Sequence, residues 1–191
     1  MERANSNQKQ RVIEILSRSF DKNPSVNYVV KPGPGREHRI RKLMEYSYDM
    51  CNAFGQVWIS EDGHGCTLIL MSDRKRTSIR TLLWDLKLAV SAIGLRRVGK
   101  VMNRESRIKA FHPTLPYSHL WFIGVDPDHQ GKGSGSSLLK EVIEECERRQ
   151  SPIYLETSVD RNLSWYKKFG FEIFHTLDLG YTLYFLKREQ R

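Results

Sequence analysis

The residues Gln130-Gly131-Lys132-Gly133-Ser134-Gly135 have the composition of a turn that holds a phosphate. Glycines reach φ > 0 and let the backbone come close to a ligand. The unpaired N–H groups of a following helix's first turn, with the positive end of its dipole, attract an anion. Lys132 adds a mobile cation at the rim. Two familiar phosphate loops do not fit. A Walker loop would need glycine where Asp126 stands and a hydroxyl where Gly133 stands; a dinucleotide fingerprint would need glycine or alanine at Ser136. Taken alone, the turn indicates an anion at a helix N-terminus and nothing more specific.

Other reactive side chains give weaker patterns. Cys51, Cys66 and Cys146 are isolated and odd in number, which fits buried free thiols rather than a disulfide framework or a metal knuckle. The six histidines show no His-x-x-x-His pair, so no metal is expected. The net charge of +9 is spread over Arg36–Lys42, Arg74–Arg80, Arg96–Arg107 and Lys187–Arg191, with no basic run interleaved with aromatics. No nucleic-acid partner is expected from it. No apolar run approaches the roughly 20 residues that cross a bilayer, and the polar start lacks a signal core, so no membrane partner and a cytoplasmic location are expected.

The elements that must position the turn follow from periodicity. His119–Val125 is a nearly continuous apolar run and reads as a strand buried on both faces. After the turn, Leu138, Leu139, Val142, Ile143 and Cys146 mark one face of a helix ending near Gln150. Upstream, Gln8–Phe20 reads as a helix broken at Asn23-Pro24, and a turn-rich connector leads to a second helix over Ile40–Phe54. Gln56–Ser60 and Cys66–Met71 form a hairpin. Ile79, Leu82, Leu83, Leu86, Val90 and Ile93 form an amphipathic stripe within Ser78–Arg97. Ile153–Thr157 is a short strand, Asn162–Phe169 a short helix, and Phe171–Leu177 with Tyr181–Leu186 a closing antiparallel pair. The 191 residues suit one domain over 1–191.

With this order in place, the sequence resembles the GNAT superfamily of N-acetyltransferases. Gln130, Gly133 and Gly135 match the signature Gln/Arg-x-x-Gly-x-Gly/Ala between a central strand and a helix. The stretches Gly124–Gly133, Leu155–Ser158 and Asn162–Phe171 match as well, and they look like the branch containing puromycin N-acetyltransferase. The resemblance implies the α/β GNAT (acyl-CoA N-acyltransferase) fold, a mixed, mostly antiparallel sheet flanked by helices. It also implies acetyl-CoA as co-substrate, seated in a V-shaped opening between His119–Val125 and Ile153–Thr157. Backbone groups of Ile123 and Val125 would pair with the pantetheine arm. N–H groups from Gly131 through Lys132, Gly133, Ser134 and Gly135 to Ser136 would hold the pyrophosphate. Asn162 would lie along the cofactor arm and Tyr166 near the thioester sulfur.

The implied chemistry is direct attack of a small-molecule amine on the thioester, with the oxyanion held by a backbone donor near Val125 and Tyr166 protonating the leaving sulfur. Without the resemblance, Tyr166 would read as a core tyrosine. Many relatives use a glutamate base on the central strand, and none precedes Asp126 here. Glu156 and His119 are the nearest alternatives, each with a structural reading, as a hydrogen-bonding carboxylate and a strand-start packing residue. Two departures stand out: Ser134 occupies a usually apolar position, and the opening strand is very short or missing. A non-catalytic acyl-CoA-binding or regulatory module of the same fold is the competing reading.

Overall fold

The computed structural model describes residues 1–190. Seven strands form one sheet: β1 Glu2–Arg3, β2 Gly55–Ile59, β3 Gly65–Met71, β4 Ser118–Val125, β5 Ile153–Thr157, β6 Glu172–Asp178 and β7 Thr182–Arg188, in the spatial order β1-β2-β3-β4-β5-β7-β6. Only β4 and β5 run parallel; every other neighbouring pair is antiparallel. The helices are α1 Lys9–Ser19, α2 Pro24–Val29, α3 Arg36–Phe54, α4 Ile79–Leu88, α5 Val98–Lys109, α6 Ser134–Arg148 and α7 Leu163–Lys168.

The opening strand exists, but it is two residues long, pairing Glu2 with Ile59 and Arg3 with Trp58. It stops because Asn5 forms a reciprocal capping box with Gln8, which turns the chain into a 3-10 turn and then α1. The chain breaks before Asn23-Pro24 as expected, and the same pair starts the next helix. The Asn23 side chain accepts the Val26 N–H at 3.1 Å, and Pro24 takes the first helical position, where its missing N–H costs nothing.

Two cores lie on opposite faces of the sheet. One packs Val12, Ile15 and Leu16 of α1 and Ile40, Met44 and Tyr48 of α3 against Val57, Leu68 and Phe122. The other packs Leu139, Val142 and Ile143 of α6 and Tyr166 of α7 against Leu120, Ile153 and Leu155. Gly124 lets α1 sit directly on β4: a Cβ there would fall 2.7 Å from Ser19 Oγ and 3.1 Å from Leu16 Cδ2. The three cysteines are buried and unbridged.

The stripe expected over Ser78–Arg97 divides: Ile93 is buried, whereas Ile79, Leu82, Leu83, Leu86 and Val90 are 56–80% exposed. α4 meets the body through Thr81 and Leu88 and through two polar pairs, Tyr46 donating to Asp85 at 2.7 Å and Lys87 with Glu45 at 3.0 Å.

The central strand carries a bulge. The β3 ladder pairs Leu68 with Phe122 and Ile69 with Leu120, so Trp121 is passed over. Trp121 and Phe122 consequently both face the α1–α3 core, while Leu120 and Ile123 face α6. The extra residue bends β4 where it parts from β5.

Candidate active site

The β4–β5 ladder consists of Ser118 with Ile153 and His119 with Tyr154. Beyond these pairs the two strands separate, leaving an opening between Leu120–Val125 and Leu155–Thr157. The backbone lining it can be oriented from the hydrogen bonds of β3. Gly65, opposite Val125, donates its N–H to Ser60 Oγ at 2.8 Å, and its carbonyl accepts the Ser60 N–H at 2.8 Å. Val125 therefore turns its own N–H and carbonyl away from β3 to the open side, and strand alternation gives Ile123 the same direction. The Val125 carbonyl accepts the Gln130 side-chain amide at 3.0 Å, so Gln130 braces the glycine turn against the strand and leaves the Val125 N–H facing the opening.

The turn itself is preformed. Gly131 and Gly133 have φ of +79° and +87°, the left-handed region that favours glycine. Gly133 caps α6, and its carbonyl accepts the N–H groups of Ser136 at 2.9 Å and Ser137 at 3.1 Å. This corrects the expected cradle at one end: the Ser136 N–H is engaged within the turn. The N–H groups of Gly131, Lys132, Gly133, Ser134 and Gly135 have no acceptor among the described residues. Gly135 has no steric need to be glycine, since a Cβ there would meet Val125 Cγ2 at 3.7 Å and Trp165 at 3.8 Å, ordinary contacts. A row of free N–H groups at the positive end of a 15-residue helix, rimmed by exposed Lys132, fits a pyrophosphate.

α7 is tied to this turn through Trp165. Trp165 Nε1 donates to the Ser136 hydroxyl at 3.0 Å, which sets the position of the next residue, Tyr166. The Tyr166 ring packs between Trp165 and Phe171 at centroid distances of 4.7 and 5.6 Å. Burial pushes its phenol well above the usual range, so it stays protonated and offers its O–H as a hydrogen-bond donor. Neither its hydroxyl nor the Asn162 side chain has a hydrogen-bond partner among the described residues.

His119 and Glu156, unrelated in sequence, meet on the α1–α3 face of the sheet. His119 Nε2 lies 2.7 Å from one carboxylate oxygen of Glu156, and His112 Nε2 lies 2.8 Å from the other. The second ring nitrogen of His112 lies 2.9 Å from the Tyr117 hydroxyl. The four side chains form one connected chain, Tyr117–His112–Glu156–His119, at the point where β4 and β5 part. Burial alone would raise the Glu156 carboxyl, but the two imidazoles, His119 foremost, hold it well below the usual carboxylate range. His112 and Tyr117 escape a sequence reading because they lie on the loop before β4, where only the helix-ending prolines gave a signal.

The ligand atoms of His112, His119 and Glu156 lie within 4.8 Å of one another, as do those of His64, Asp126 and His129. Neither trio has sequence spacing that could announce it. In the second, Asp126 is already neutralised, accepting Arg11 at 2.9 Å and Arg18 at 2.6 Å. Burial works against that charge, but the Asp128 N–H and the two guanidiniums outweigh it and hold the carboxyl below its ordinary value. This network ties α1 to the exit of β4 and so steadies the start of the glycine turn.

The strand–turn–helix and the parted parallel pair agree with the comparison to known families. The description "Acetyltransferase (GNAT) domain" matches residues 89–173. The match covers a little under half of the chain. An uncharacterised N-acetyltransferase of Schizosaccharomyces pombe is 31% identical over 41% of this chain and 38% of its own length. The ribosomal protein bS18-alanine N-acetyltransferase of Escherichia coli is 31% identical over 46% of this chain and 64% of its own length. The alignments thus span less than two thirds of either relative. The GNAT fold extends over the whole chain. A histone acetyltransferase-related acetyltransferase of Corynebacterium glutamicum superposes with a TM-score of 0.74 at 19% identity, covering 100% of this chain and 95% of its own. Arylalkylamine N-acetyltransferase 2 of Aedes aegypti superposes at 0.65 with 17% identity, covering 100% and 98%.

Proposed function

We propose that this GNAT domain transfers an acetyl group from acetyl-CoA to the amine of a small molecule by direct attack within a ternary complex. The observation that carries the reading is the His119–Glu156 pair standing where β4 and β5 part. Acetyl-CoA supplies the activated acetyl thioester. The N–H groups of Gly131–Gly135 hold its pyrophosphate, Ile123 and Val125 align its pantetheine arm by backbone hydrogen bonds, and Asn162 lies along that arm.

The attacking amine must first lose a proton, since an aliphatic ammonium is mostly charged near neutrality. With its Nε2–H donated to the ionised Glu156, His119 takes that proton through Nδ1. The ionised Glu156 stabilises the imidazolium that results, and His112 holds the far side of the carboxylate. The Val125 N–H stabilises negative charge developing on the acetyl oxygen. Tyr166 donates its proton to the departing thiolate, which balances the proton taken by His119.

The Escherichia coli relative acts on an alanine of a ribosomal protein, and the Aedes aegypti neighbour is named for arylalkylamines. We favour the small amine, as in the branch of puromycin N-acetyltransferase that the sequence resembles, because the base lies buried at the strand junction, where a compact acceptor fits more readily than a folded protein surface. Thiol release from acetyl-CoA, measured over a panel of small amines, alcohols and alanine-starting peptides, tests this. Turnover confined to the peptides would transfer the assignment to protein N-termini. Tight acetyl-CoA binding without turnover of any acceptor would leave a non-catalytic acyl-CoA-binding module.

A further inference from the structure

Amphipathic helices on protein surfaces normally turn their apolar side inward; α4 packs Leu88 on the α1–α3 core and turns most of its apolar residues outward. Its polar residues Asp85 and Lys87 contact Tyr46 and Glu45 of α3, and a Ser78–Thr81 capping box fixes its start. Ile79, Leu82, Leu83, Leu86 and Val90, spaced on one side at intervals of three and four, stand 56–80% exposed. Five large aliphatic side chains form a ridge about 16 Å long at the usual helical rise. Such a continuous exposed patch marks a contact surface.

Charge identifies what the ridge meets. Residues 73–109 hold eleven Lys or Arg against three Asp or Glu, which is +8 of the chain's +9. Arg74, Lys75 and Arg76 are exposed on the approach to the helix, Arg96 is exposed beyond it, and none of the four has an acidic partner among the described residues. Arg80 lies over the Trp84 ring at 4.7 Å, so a basic group and an aromatic edge border the ridge itself. An isologous dimer through this face would set two such basic patches against each other. A convex ridge flanked by cations suits an anionic lipid surface, which needs no complementary groove.

We infer that α4 and its basic flanks dock this protein on the surface of an anionic lipid bilayer. The ridge enters the headgroup boundary, and Arg74, Lys75, Arg76 and Arg80 meet lipid phosphates and carboxylates. Among the described residues no helix is long and apolar enough to cross a membrane, and the association proposed is peripheral. None of the ridge residues belongs to β4, β5, α7 or the Gln130–Ser136 turn, so the feature is separate from the proposed acyl-transfer site.

The test is co-sedimentation of the full chain with phosphatidylcholine vesicles containing about 30% phosphatidylserine, against phosphatidylcholine alone. The expected result is binding to the anionic vesicles that weakens with salt. L82S/L86S and, separately, R74E/R76E should each lower that binding about tenfold or more. Both variants change exposed side chains, and an unchanged melting temperature would confirm that they fold. Equal binding to both vesicle types, absent binding, or variants that bind like the parent would overturn the proposal. Sedimentation velocity gives a further check: a dimer dissolved by L82S/L86S would assign the ridge to a second copy and also overturn it. Retention on an acidic polypeptide without vesicle binding would do the same in favour of a protein partner.

Discussion

His119 on the central strand and Glu156 on its parallel neighbour are joined by a 2.7 Å hydrogen bond at the point where their strands diverge. The bond needs both strands. Each residue lies on the face opposite α6, and the parallel pairing of His119 with Tyr154 puts Glu156 two residues further along on that same face. A central strand without its own acidic base thus gains a carboxylate-supported imidazole.

His119→Gln should lower kcat/KM by about 10²–10³-fold, the usual contribution of a general base, with acetyl-CoA affinity little changed. The rising limb of the parent pH–rate profile should disappear in the variant. A profile with the same limb would remove His119 as the base.

Glu156 gives a prediction for acid stability. Its folded carboxyl lies below the ordinary value of 4.5 because of the two imidazoles, with His119 the larger influence, against an opposing effect of burial. A depressed acid stabilises the fold fully above its unfolded pKa, and the stabilisation is lost as pH falls below that value towards the folded one. Melting temperature should therefore begin to fall below about pH 4.5. Glu156→Gln, measured by calorimetry across the same range, should start less stable and lose less on acidification.

Tyr166→Phe should reduce kcat by about 10–100-fold while leaving the KM for acetyl-CoA nearly unchanged, because the ring packing survives and the proton donor is lost. Steady-state kinetics with a poor thiol leaving group would magnify the difference. An unchanged kcat would leave Tyr166 as a core residue only.

Gly135→Ala and Gly133→Ala separate the two glycines of the turn. A methyl group at Gly135 makes ordinary contacts with Val125 and Trp165, and alanine is the better helix former by up to about 1 kcal/mol. Melting temperature should hold or rise, and acetyl-CoA affinity by titration calorimetry should hold as well, since the signature admits alanine at this position. Gly133→Ala, at φ +87°, should instead lose stability, by about 1–2 kcal/mol.

The sequence by itself determined the features whose causes are local. A buried strand, a glycine turn and an amphipathic helix follow one another between His119 and Arg148 because periodicity and glycine's access to φ > 0 act over a few residues. The same local reasoning located the Tyr166 helix and the closing hairpin. The one exception is two short-range contacts that periodicity does not report, the Asn5–Gln8 capping box and the Ser136 N–H bond to the Gly133 carbonyl. Tertiary structure alone decided what depends on distant partners. His112, 44 positions from Glu156 in sequence, became its second partner when the loop before β4 folded across the sheet. The direction in which α4 points was likewise settled by Tyr46 and Glu45 on α3, since a helical period fixes which side chains share a face and says nothing about whether that face meets the core or the solvent.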